Sequence, residues 1–292
     1  MVSDKIHIKI KGHEKFVLRE GWLSKGILAV ENNARVFLQL DAPETLGVGT
    51  NMVKSIRYWL KAFDLVTEVP GVGARLNSFA EQIRDNDIYI QDMFTLWLLH
   101  SHLVKNAKQA TSWHIFFNNL EVEDYTKEQI GGLLLDELSK YAGIATNIKA
   151  NSVDDDVAVL LQMYCKERTI DSDPEDKNIS PLSALGLLSN SKHKYYRKQP
   201  DLSKLSEWVI LYELAYMFDE SKSNSVSIDS LYSEKNGIGN IYNLSRVAIN
   251  DYLDKISNMS YIRVDRTAGL DMVYQQFDET ADEIIEKYYK GH

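Results

Sequence analysis

A chain of 292 residues with 44% hydrophobic and 26% charged side chains has the composition of a globular protein with a substantial core. That excludes a single small module, a disordered chain and a coiled-coil rod. The formal net charge of −9 argues against nucleic acid at face value, because phosphates are neutralised by clustered Lys and Arg. The charge is uneven, however. Residues 1–62 hold ten Lys and Arg against six Asp and Glu, which permits one basic face on an otherwise acidic protein; a solvated surface of uneven charge is the alternative. The longest apolar stretches, such as Thr95 to Leu99 and Gly132 to Leu135, are too short to cross a bilayer. The opening MVSDKIHIKIKG has no apolar block of a secretory signal, and the lone Cys165 cannot form an internal disulfide, so a cytoplasmic location is expected.

In chain order, Gly21 to Asn32 spaces Trp22, Leu23, Ile27, Leu28 and Val30 as a short amphipathic helix. Val36, Leu38 and Leu40 then alternate briefly before Asp41-Ala42-Pro43. In LGVGTNMVKSIRYWLKAFDLV, Gly47 and Gly49 suit a tight turn and Thr50 a helix cap. Met52, Val53, Ile56, Trp59, Leu60 and Phe63 fall on the inner side of the helix that follows. Leu65 to Val69, the turn Pro70-Gly71-Val72-Gly73 and Ala74 to Asn77 read as a β-hairpin. This order is the plan of a winged helix-turn-helix, whose second helix enters the major groove. Thr50, Lys54, Arg57 and Lys61 share one face of that helix with Asn51 beside them, and Arg75 stands where a wing would touch the DNA backbone. A solvated or protein-contacting face is the competing reading.

Residues from about Phe79 to Arg168 read as mostly helical, with periodic stretches at Ile130 to Tyr141 and Val153 to Tyr164. His100 and His102 differ by two positions and so diverge on a helix, and no ligand cluster accompanies them or His114, so no metal is expected. Trp97, Trp113, Phe116 and Phe117 read as core. The polar segment 169–180, only loosely like a calcium loop, reads as a linker. Beyond it, Leu205 to Phe218, Ser227 to Tyr232 and a helix with Val247, Ile249, Tyr252, Leu253 and Ile256 inward precede a hairpin around Thr267-Ala268-Gly269. That is a second winged-helix plan, with Asp251 and Asp254 beside Arg246 and Asn250. The tail DETADEIIEK reads as an exposed helix.

The expected fold is therefore mainly α, with two winged helix-turn-helix units, near 27–80 and 205–276, carrying short β-hairpin wings. The chain divides into 1–80 (N-terminal segment and winged helix), 81–170 (helical middle region) and 171–292 (linker and C-terminal winged-helix-like domain). No Walker loop and no nucleophile elbow are present, Cys165 reads as a small buried residue, and no cofactor is implied. In GHEKFVLREGW, the nearest thing to a catalytic constellation, His13, Glu14 and Arg19, with Trp22 in the same candidate network, either fasten the N-terminal segment by hydrogen bonds or form a binding or catalytic triplet.

KGHEKFVLREGWLSKG, LGVGTNMVKSIRYWLKAFDLV, TLWLLHSHLV with TSWHIFFNN, SPLSALGLL and RTAGLDMVYQQ together resemble the bacterial domain-of-unknown-function family numbered four thousand and seven, over nearly the whole chain. The usual family string has Thr and Pro where this chain has Lys15 and Val17. The resemblance implies an accessory role near modified or invading DNA, in phage-defence gene clusters of the DNA phosphorothioation or BREX-like kind. With no catalytic motif found, a non-enzymatic component is expected, its partners being duplex DNA through the first winged helix and other defence proteins, among them a sulfurtransferase or an ATPase encoded nearby.

Overall fold

Helix α1 (Trp22–Asn32) forms because Trp22, Leu23, Ile27 and Val30 recur at helical spacing, and all four are buried. The computed structural model describes residues 7–143, 147–165, 179–267 and 269–291. The linker segment at 169–180 lies, except for its last two residues, outside the described residues, as does Ala268 in the C-terminal hairpin turn.

The alternation at Val36, Leu38 and Leu40 is not a strand. Val36–Leu38 is a single 3-10 turn that buries Val36 and leaves Leu38 57% and Leu40 100% exposed. A short helix that sequence reading missed, α2 (Ala42–Leu46), starts with Pro43 in its first turn and ends at Gly47, which adopts φ 63°. The next helix, α3 (Thr50–Ala62), is capped by Gly49 and not by Thr50, which is its first helical residue. It buries Ile56 and Leu60 beside Gly26 of α1, Val53 with Ala42 and Leu46 of α2, and Trp59 against Trp113. Strands β1 (Val66–Val69) and β2 (Gly73–Leu76) then form the expected antiparallel hairpin, in register Val66 with Leu76 and Glu68 with Ala74.

Helix α4 (Ser78–Asn86) leads into α5 (Met93–Lys105), which is buried around nearly its whole circumference from Phe94 to Val104, and α6 (Thr111–Asn119), buried from Thr111 to Phe117. A helix apolar on all sides belongs at the centre of a fold, and one continuous core cluster around these two runs from Val17 to Ile285. Strand β3 (Tyr125–Thr126) precedes α7 (Lys127–Ala142), which packs on α8 (Ala150–Tyr164). After a 3-10 turn at Pro181–Leu185, β4 (Leu188–Ser191) and β5 (Lys194–Arg197) complete a three-stranded antiparallel sheet in the order β3-β5-β4.

The C-terminal part comprises α9 (Glu207–Ser221), β6 (Ser225–Ser227), α10 (Ile228–Ser233), α11 (Ile238–Tyr242), α12 (Arg246–Asn258), β7 (Ile262–Thr267) and β8 (Leu270–Gln275). Its sheet runs β6-β8-β7, again antiparallel. Ile249, Tyr252, Leu253 and Ile256 of α12 are inward as expected, but Val247 points outward and is 70% exposed. The acidic tail is not a free-standing helix. It forms α13 (Ala281–Lys290), which buries Ile284 and Ile285 and packs against both α9 and α4. The protein is thus mainly α with small antiparallel sheets, and among the described residues no helix is long and apolar enough to cross a membrane.

Candidate nucleic-acid interface

The outer side of α3 is built by exclusion. Trp59, Leu60 and Ile56 take the inner stripe, so Thr50, Asn51 and Lys54 are left exposed and Arg57 and Lys61 half-buried. Thr50–Ala62 contains no acidic residue, and no side chain caps its first turn. The Lys54 ammonium donates to the Asn51 side-chain carbonyl at 3.3 Å. Toward the C-terminal end the face is engaged. Arg57 Nε donates to Glu68 Oε1 at 2.5 Å and Lys61 Nζ to Glu68 Oε2 at 3.2 Å. Partial burial pushes the Glu68 carboxyl up, but the two cations outweigh it and hold the group below the ordinary glutamate range.

Strand register explains why Glu68 reaches α3 and Arg75 does not. Glu68 pairs with the buried Ala74, whereas Arg75 pairs with the exposed Thr67. Successive strand residues face opposite ways, so Arg75 lies on the outer face of the hairpin, away from the α3 cations. The hairpin is seated by Gly73, whose φ is 123° and whose neighbour Ala74 donates its N–H to the Ala34 carbonyl at 2.7 Å. Between this hairpin and the 3-10 turn lies a groove of about 330 Å³ lined by Phe37, Leu38, Arg57, Glu68 and Pro70 among others.

The N-terminal constellation separates into two parts. His13 is fully buried and its Nε2 lies 2.9 Å from Asp156 Oδ1. The Lys15 N–H points at Nδ1 at 3.1 Å, which makes Nδ1 the acceptor and Nε2 the donor to Asp156. The same carboxylate accepts the Lys11 N–H at 2.7 Å and the Ser112 hydroxyl. Ser112 therefore bonds to the carboxylate, an arrangement that does not set a hydroxyl against the imidazole as an activated nucleophile requires. Glu14 is exposed, and Arg19 lies over the rings of Phe16 and the buried Trp22, at 5.9 and 5.4 Å from their centroids. Neither joins His13. The partners Asp156 and Ser112 were missed, although Asp156 interrupts the apolar stripe Val153, Val157, Leu160 of α8, which flags a buried acid in need of a donor.

His100, His102 and His114 each have partners of their own. His100 lies between the Tyr164 hydroxyl at 2.7 Å and the Ile241 carbonyl at 2.8 Å, His102 bonds Tyr212 at 2.8 Å, and His114 bonds the Val104 carbonyl at 2.7 Å. Burial lowers His100 and His114 to about 4 each. Among the described residues no group of three or more His, Cys, Asp or Glu side chains is placed to hold a metal ion.

On α12 the polar face is matched by its own surroundings. Arg246 pairs with Asp229 and, at 4.0 Å, with Asp271. Asn250 accepts from Arg266 Nε at 3.1 Å, and Arg266 also pairs with Asp254 at 2.8 Å. The two helices that follow the same local plan therefore differ in what they offer to a phosphate.

No curated protein matches the chain. Two solved structures share its fold. The magnesium ion-bound SspB crystal structure superposes with a TM-score of 0.86 at 23% identity, covering 97% of this chain and 88% of that one. The SspB crystal structure gives a TM-score of 0.85 with the same identity and coverage. The family model described as Protein of unknown function (DUF4007) matches residues 10–289. That is nearly the whole length, so the chain belongs to the DUF4007 family.

Proposed function

We propose that this protein is a non-enzymatic DNA-binding or adaptor component of a bacterial phage-defence system, and that it contacts duplex DNA through α3. In this reading α1, α2, α3 and the β1–β2 hairpin are a winged helix-turn-helix with α3 as the recognition helix. The observation that carries it is the start of α3, where Thr50, Asn51 and Lys54 are exposed on a helix without a single acidic residue. A helix start without a side-chain cap, with a lysine and an amide side chain exposed, suits a phosphate backbone with a base edge beside it. The C-terminal unit, from α9 to β8, is read as a second winged helix that serves packing or protein contacts, because Asp229, Asp254 and Asp271 pair with its arginines. Other defence proteins, a sulfurtransferase or an ATPase encoded nearby, are the proposed protein partners.

Anisotropy of a labelled duplex against salt tests the reading. Affinity should fall steeply between about 50 and about 200 mM salt, as counterion release requires. One neighbour of the fold holds magnesium, so the titration is run with and without that ion. Cleavage of the duplex by the purified chain would overturn the non-enzymatic part.

A protein-only scaffold is the second reading, favoured by the exposed Leu38 and Leu40 next to the hairpin. Absence of duplex binding at low salt would select it.

A further inference from the structure

Arg57 and Lys61 stand one turn apart on α3 and converge on the two oxygens of one carboxylate, Glu68, supplied by the hairpin. Two cations gripping two oxygens of one anion is also the geometry of a phosphate contact. The Arg57, Lys61 and Glu68 side chains keep 37%, 29% and 30% of their surface exposed, and Arg57 and Glu68 both line the groove beside the hairpin. The trio is therefore reachable from solvent. An ion pair at this depth is only moderately held, since water screens it and each long side chain gives up rotamer freedom to form it. A backbone phosphate brought in on the N-terminal half of α3 meets the same two cations.

We infer that Glu68 occupies the position of a DNA phosphate, and that Arg57 and Lys61 form a second, latent phosphodiester site that opens when this carboxylate swings away. The inference rests on the proposed DNA contact by α3. Glu68 then weakens non-specific association, because a loosely held duplex gains nothing from Arg57 and Lys61 while the carboxylate keeps them. Movement of one side chain is sufficient, since the β1–β2 register is fixed by the backbone and does not involve the carboxylate. The contact also sets a threshold: a duplex held well enough by Thr50, Asn51 and Lys54 recruits Arg57 and Lys61, and a poorly seated one does not.

The test compares duplex binding against salt for the full chain and for Glu68→Gln, Lys54→Ala and the double variant Glu68→Gln with Arg57→Ala. Glu68→Gln should bind about tenfold or more tighter near 0.1 M salt and steepen the log–log salt slope by up to about two units. The double variant should lose about one of those units. If the full chain binds duplex and Lys54→Ala weakens it, yet Glu68→Gln matches the full chain in affinity and slope, the latent site is wrong and the DNA reading stands. If neither the full chain nor Glu68→Gln binds at low salt, the DNA reading falls and the inference with it. Should Glu68→Gln fail to fold, Glu68→Asp serves instead: it keeps the charge but is one methylene too short to hold both cations. Its affinity should rise, and an unchanged affinity overturns the inference.

Discussion

The imidazole of His13 and the carboxylate of Asp156 meet at 2.9 Å inside the protein, joining positions 143 residues apart. His13 also lies against the Trp59 ring, 6.0 Å between centroids and nearly parallel. The segment before α1 is thereby tied to α8 and α3 at once. Asp156 satisfies three donors, from His13, Lys11 and Ser112, so its removal leaves the buried His13 N–H and Ser112 hydroxyl without their acceptor and frees the Lys11 N–H. Asp156→Ala is expected to cost about 3–5 kcal/mol, the range for breaking one side of a buried polar pair. Urea denaturation checks this. A loss under about 1 kcal/mol would mean that the network does not fasten the segment.

His100 gives the protein an acid-sensitive centre. Burial lowers its pKa from the ordinary 6.5 to about 4, with the Ile241 carbonyl opposing that shift. Between those values the unfolded chain binds a proton that the folded one does not, so the histidine's contribution is full above about pH 6.5 and is lost as pH falls toward 4. His100→Asn should reduce the slope of unfolding free energy against pH in that window by about one proton, or about 1.4 kcal/mol per pH unit. Denaturant melts of both proteins at stepped pH measure it, and equal slopes would contradict it.

Seating of the hairpin depends on Gly73. A Cβ there would stand 2.1 Å from the Ala34 carbonyl oxygen, and the φ of 123° strains any L side chain. Gly73→Ala should therefore lose about 2–4 kcal/mol through strain and overpacking combined. By contrast, Val247→Ser, at an exposed position, should stay within about 0.5 kcal/mol. Chemical denaturation of the pair separates the two cases, and similar losses would show that the hairpin is not held at Ala34.

Much of α3 was legible because its apolar spacing follows the helical period from Val53 to Leu60, and the β1–β2 hairpin because Pro70 to Gly73 spells a turn. The pairing of Arg57 and Lys61 with Glu68 was not, since it depends on which face of β1 turns toward α3 and only the strand register decides that. Val247 was misplaced for a related reason: a β-branched apolar residue in the first turn of α12 has the right chemistry for burial but the wrong angle. The β3-β5-β4 sheet left little trace. Its strands span two to four residues, and β3 joins β5 through residues about 70 apart. The packing of α13 could have been found, because Ile284, Ile285 and Tyr288 share a stripe that the surrounding acidic residues obscured. His13 stands out in the sequence together with Glu14 and Arg19, but its partner is Asp156 on α8, which required the clue of a lone Asp among valines and leucines.

The proposal places duplex DNA on the first turns of α3 and not on the matched face of α12. Charge reversal at one position on each helix tests it most directly, in a single salt-controlled duplex titration. Lys54 is exposed on an acid-free helix, whereas Arg246 already faces Asp229 and Asp271. Lys54→Glu is expected to weaken binding by roughly tenfold or more and to flatten the salt slope by about one unit or more, while Arg246→Glu leaves both nearly unchanged. Stronger loss from Arg246→Glu than from Lys54→Glu would place the DNA contact on α12 instead.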